Sequence, residues 1–177
     1  MIRYLLFVVV VVLSKKSIVD HASTVKSIVL RLHPGEDIMT SLVSFAQKHK
    51  LSAVTISTGV GSTVNCTIRL ADDPKLTKFE GPFEIVSLTG TIAEGGLSHI
   101  HIAVSDGISG KVIGGHLPQF PREGKTDVSD PTCKVRTTLE VVLLVHEDLI
   151  FKRPIDPETT YDELVVVHKS SGVTLDH

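Results

Sequence analysis

Ser98-His99-Ile100-His101-Ile102-Ala103-Val104-Ser105 alternates with period two, with Ile100, Ile102 and Val104 at even positions and His99, His101, Ala103 and Ser105 at odd ones. Successive side chains of a strand point to opposite faces, so this stretch is expected to be a β-strand whose aliphatic side lies in the core. Its two imidazoles then share the other face, roughly 7 Å apart at their Cα atoms for a two-residue step. Beyond the turn-forming run Asp106-Gly107-Ile108-Ser109-Gly110, a second segment carries Gly114-Gly115-His116-Leu117. The two segments read as an antiparallel hairpin.

Loop length decides whether the third imidazole joins the first two, because it fixes which residues lie opposite one another. With a four-residue loop at 107–110, Asp106 faces Lys111 and His101 faces His116, and all three rings share a face. An odd-length loop sends His116 to the other side unless Gly114 and Gly115 form a bulge that resets the register. Three neutral imidazoles on one face suit Zn²⁺, bound at about 2.0–2.1 Å with a fourth position left for water or a ligand atom. Another divalent transition metal is the alternative occupant. Ordinary polar-face histidines engaged in hydrogen bonds are the plainer reading of the same residues.

A chain of 177 residues, 42% of them hydrophobic, is long enough for one domain with a sizeable core. Its 18 basic and 20 acidic residues nearly cancel, so no overall basic field is available for grasping phosphates. With no Trp and two Tyr there is also no series of stacking platforms for single-stranded bases, and the core must be mostly aliphatic. Cys66 and Cys133 belong to no C-x-x-C pair, which excludes a cysteine zinc knuckle and a disulfide-dense framework. A single bridge stays open; two free, buried thiols of an intracellular protein are the expectation.

Residues 5–13 form a nine-residue apolar run containing five consecutive valines. It resembles the apolar part of a signal peptide and is too short for a stable membrane span, which takes about 20 residues. Residues 1–24 are accordingly read as an apolar extension or a signal segment, 25–168 as the domain and 169–177 as a tail. Export would make Asn65-Cys66-Thr67 a possible glycosylation acceptor.

Residues 25–33 read as a strand closed by Pro34-Gly35. A helix follows, opened by Glu36 and Asp37, striped by Ile38, Leu42, Phe45 and Ala46, and finished by Lys48, His49 and Lys50. Short extended segments are expected at 53–58, 64–70, 76–79, 83–92, 98–105 and 111–117. Gly59-Val60-Gly61-Ser62 reads as a tight connection between two of them, since no phosphate-loop pattern surrounds it. Residues 118–131, rich in proline, read as a surface loop, and 137–145 as a strand apolar on both faces, covered by the helix and by another subunit. Residues 149–153 read as an edge segment and 156–164 as turn-rich. The class is therefore α+β, a mainly antiparallel sheet packed with one principal helix.

Several stretches together resemble the plants-and-prokaryotes conserved (PPC) domain family. They are Leu30-Arg31-Leu32-His33-Pro34-Gly35-Glu36-Asp37, Ser57-Thr58-Gly59-Val60-Gly61-Ser62, Glu80-Gly81-Pro82-Phe83-Glu84-Ile85-Val86-Ser87-Leu88-Thr89-Gly90, His99-Ile100-His101 and Gly114-Gly115-His116, within about residues 26–165. The resemblance implies the same α+β fold and a homotrimer, and in some prokaryotic-type members a histidine-bound zinc at positions matching His99, His101 and His116. It implies an intracellular setting, cytosol or nucleus; a signal peptide at the amino end would instead mean secretion. In the family's plant proteins the domain follows an AT-hook with an Arg-Gly-Arg-Pro core, a sequence this chain does not contain.

Three functions follow. The leading one is a zinc-binding homotrimer acting as an assembly or ligand-binding module, with protein partners. The second is a metal-dependent enzyme of hydrolase or lyase type, using the open coordination position and a nearby carboxylate, Glu84 or Glu94. For both glutamates the plain alternative is a solvated or structural role. The third is a DNA-associated regulator without its own AT-hook, which would need a local Lys/Arg patch that the balanced charge does not supply.

Overall fold

The alternating stretch at 98–105 is a strand in the computed structural model, which describes residues 21–73, 75–119 and 133–169. Expectations for the apolar run at 5–13, for most of 118–131 and for the tail beyond 169 lie outside the described residues. Among the described residues the order is β1 (Val25–Leu32), α1 (Ile38–Lys48), β2 (Ala53–Arg69), β3 (Leu76–Ala93), a 3-10 turn (Glu94–Gly96), β4 (Ser98–Asp106), β5 (Val112–Leu117), β6 (Val135–His146), β7 (Leu149–Lys152) and β8 (Val165–His168).

Six strands lie side by side in the order β1-β6-β2-β3-β4-β5, each pairing antiparallel, while β7 and β8 form a hairpin of their own. The end of β2 also reaches β5, where Arg69 pairs with His116, so β2 to β5 curl into a closed ring. The expected α+β class with one principal helix holds. No helix among the described residues is long and apolar enough to cross a membrane.

α1 starts where a side chain can satisfy its first free N–H groups. The Asp37 Oδ1 accepts from Thr40 N at 2.9 Å, and its Oδ2 accepts from Cys133 N at 3.1 Å, tying the helix start to the approach of β6. The helix ends with Lys50 in the left-handed region, φ 52°, and Leu51 N donating to Ala46 O. Ile38, Met39, Leu42, Val43 and Ala46 form its buried face, in one cluster with Val54, Ile56, Ile100, Ile102, Leu139, Val141 and Leu143 of the sheet.

Two of the expected connections are strand interior. Gly59-Val60-Gly61-Ser62 continues β2 without a break, and 76–79 joins 83–92 through Gly81-Pro82 in one strand, β3. The glycine serves close strand approach here, not a turn: at Gly61, φ 158°, a Cβ would strike the Thr138 carbonyl of β6. β2 accommodates its neighbours with register shifts at Ile56/Thr58 and Gly61/Thr63, the bulges that bend it. Residues 165–168 form β8, a strand beyond the turn-rich 156–164 that periodicity alone did not mark.

The two cysteines correct the expectation of free thiols. Cys66 and Cys133, both fully buried, are joined in a disulfide across 67 residues. Their spacing carries no sign of it; the β2–β6 ladder, with Thr63 opposite Val135 and Val64 N bonded to Lys134 O, brings them together.

Candidate metal centre

β4 presents His99 and His101 on its exposed face while Ile100, Ile102 and Val104, each no more than 2% exposed, fill the core. The turn has the even length: Asp106 N bonds Lys111 O, and His101 lies opposite His116. Asp106 itself holds the loop, its Oδ1 accepting from Ser109 N and Ser109 Oγ at 2.6 and 2.7 Å. These bonds to the ionised form lower the Asp106 pKa.

Both ends of this ladder are pinned. Ser98, buried, donates through N and Oγ to Gln119 Oε1 at 2.9 and 2.8 Å, and Gln119 Nε2 donates to Gly96 O. Beside β4, Gly90 of β3 has φ 152°, and a Cβ there would run into the His99 carbonyl. Backbone close to backbone at that point sets the seat of His99.

All three imidazoles converge. One ring nitrogen from each of His99, His101 and His116 lies within 4.8 Å of the others, and the ring centroids are 5.0, 5.2 and 5.7 Å apart. The Nε2 atoms of His99 and His101 are 3.1 Å apart. Two bonds of about 2.0–2.1 Å meeting at a tetrahedral angle separate their nitrogens by about 3.3–3.4 Å, so this pair already approximates one edge of a zinc tetrahedron. His99 and His101 are exposed and His116 half-buried, so ions from solvent can reach the cluster.

Partial burial lowers the His99 pKa, with the charges of Arg153 and His101 acting the same way and Glu163 and Asp162 opposing. A neutral imidazole is the form that can bind metal, and the first three effects favour that form at His99. They also locate groups that sequence reasoning did not single out. Arg153 is 8% exposed; its Nη2 donates to Thr91 Oγ1 at 2.6 Å and its Nη1 to Asp162 O at 3.0 Å. Thr91 is the β3 residue directly across from His99. No local periodicity marks this link, because Arg153 follows an apolar strand and meets the site only through the tertiary fold.

Glu84 and Glu94 fall elsewhere. Glu84 faces Ser105, about 13 Å along β4 from His101, and Glu94 is exposed in the 3-10 turn before β4. Neither belongs to the imidazole cluster.

The family model described as Plants and Prokaryotes Conserved (PCC) domain matches residues 19–122. The chain belongs to this family. The bifunctional protein GlmU of Synechococcus sp. (strain JA-3-3Ab) is 36% identical to this chain over 135 residues, which are 76% of this chain and 20% of that protein. The chain thus spans about a fifth of the length of the first curated relatives it matches. A hypothetical protein from Salmonella cholerae-suis (Salmonella enterica) superposes with a TM-score of 0.73 at 36% identity, covering 84% of this chain and 98% of that one. A metal-containing protein from Archaeoglobus fulgidus shares the fold, with a TM-score of 0.62 at 22% identity over 85% of this chain and 99% of its own.

Proposed function

We propose that this PCC-domain protein binds one divalent transition metal, zinc foremost, through His99, His101 and His116, and acts as a trimer-forming assembly or ligand-binding module. The observation that carries the metal reading is the convergence of three imidazole nitrogens from two hydrogen-bonded strands, with one pair at 3.1 Å. Three protein ligands leave one position open, the arrangement by which zinc takes up water or an exchangeable ligand. The metal-containing protein from Archaeoglobus fulgidus, with the same fold, lends the reading further support.

Support for assembly with other copies comes from the sheet face opposite α1. Val29 is 72% and Val60 60% exposed there, and half-buried Val142 pairs with Val29. Apolar side chains side by side on an open sheet are what a subunit contact covers.

Equilibrium dialysis against zinc, with the metal then measured per chain, tests the centre. Wild-type protein is expected to retain one zinc per chain and His101→Ala to lose most of it while keeping its circular dichroism spectrum. Folded wild-type protein that retains no zinc would overturn the reading.

A further inference from the structure

Gln119 reaches back past the end of β5 to the residue before His99. The backbone pairs of β4 with β5 run from Ser105 and Val112 to Ile100 and Leu117, so His99 and Ser98 lie beyond the last of them. There a side chain takes over from the ladder. Gln119 Oε1 accepts from Ser98 N at 2.9 Å and from Ser98 Oγ at 2.8 Å, while Gln119 Nε2 donates to Gly96 O at 2.8 Å. One amide thus closes the open end of the hairpin. Ser98 is 1% exposed, with Met39 Sδ of α1 lying 3.3 Å from its hydroxyl, so solvent is not at hand to replace that amide. On the other side of β4, His99 faces Thr91 of β3.

We propose that Gln119 is the positioning residue of the metal centre, holding the start of β4 so that the His99 imidazole meets those of His101 and His116. The inference rests on the metal reading above and adds to it a residue that is no ligand. His101 and His116 face one another within the paired part of the hairpin, where the backbone ladder sets their places. His99 is the ligand at the open end. Without the Gln119 amide, Ser98 N is a buried donor with no acceptor and the hydroxyl keeps only the weak Met39 sulfur, a cost the chain relieves by moving Ser98 towards solvent. His99 moves with it. The first thing lost is the 3.1 Å separation of the His99 and His101 nitrogens, which approximates one edge of a zinc tetrahedron. Groups that orient a ligand from behind are typically worth about 10–100-fold in metal affinity.

Cobalt(II) is the probe, because its visible absorption reports coordination geometry and its affinity is measurable by competition with a chromophoric chelator. Gln119→Met keeps the length of the side chain while removing the amide, and is expected to weaken cobalt binding by about tenfold and to alter the visible bands. Gln119→Glu keeps an oxygen that can accept from Ser98 and should return the wild-type bands. Gln47→Met is the control for a general loosening of the turn, since Gln47 Nε2 donates to Gly95 O at 2.8 Å and holds the same 3-10 turn from α1. It is expected to leave affinity and bands unchanged. Wild-type protein that binds no cobalt would sink the metal reading and this inference with it. Wild-type binding that Gln119→Met matches in affinity and bands, or a loss in Gln47→Met as large as in Gln119→Met, would overturn this inference alone.

Discussion

His146 shows how partial burial favours the neutral form of a single imidazole away from the three-histidine cluster. Its Nδ1 and Nε2 lie 2.9 Å from the Ser23 and Thr55 hydroxyls, and its ring packs on Phe151 with centroids 5.3 Å apart. Partial burial lowers its pKa from the ordinary 6.5. In the unfolded chain the ring takes its proton near that ordinary value, so below it the unfolded state binds more protons than the folded one. The stability is fully present above pH about 6.5 and is lost as the pH falls towards the lowered folded value. Urea unfolding between pH 7.5 and 5.5 is expected to show this loss, and His146→Gln should flatten the slope; an unchanged slope would contradict it. Among single residues, the three histidines of the site were legible because strand period is local and an H-x-H pair needs no tertiary information. Arg153 was not, since only the folded chain brings its guanidinium to Thr91 of β3.

β4 and β5 meet in a register that follows from a four-residue loop, and that part of the architecture could be read directly from the chain. β2 and β3 could not. Whether a glycine-containing stretch turns or continues depends on what backbone lies beside it, and the neighbours of Gly61 and Gly90 come from β6 and β4. Gly90 offers the sharper test. With φ 152° and no room beside the His99 carbonyl, Gly90→Ala is expected to cost about 1–3 kcal/mol and to push β4 outward at His99. Gly95→Ala is the control, since Gly95 has positive φ, 76°, but nothing within 4 Å of an added Cβ. Thermal unfolding should show the larger loss for Gly90→Ala, accompanied by shifted amide signals along 98–102; equal losses for the two variants would count against close strand contact as the reason.

The molecule is held by an aliphatic core under one helix and by the Cys66–Cys133 bridge through its centre. A bridge closing 67 residues restricts the unfolded chain by about 4 kcal/mol on the loop-entropy view. Cys66→Ala with Cys133→Ala is therefore expected to lower the urea midpoint markedly, while a midpoint within error of wild type would show that the bridge adds nothing to stability. The α+β class, the helix and the imidazole trio were within reach of patterning, whereas the bridge and the segment after β7 depend on long-range pairing. Coordination by the trio itself is open to direct view in a crystal grown with zinc and measured on both sides of the zinc absorption edge. Binding at this centre predicts one anomalous peak about 2.0–2.1 Å from a nitrogen of each of His99, His101 and His116. Ordered rings with no peak between them, or zinc bound only elsewhere, would contradict it.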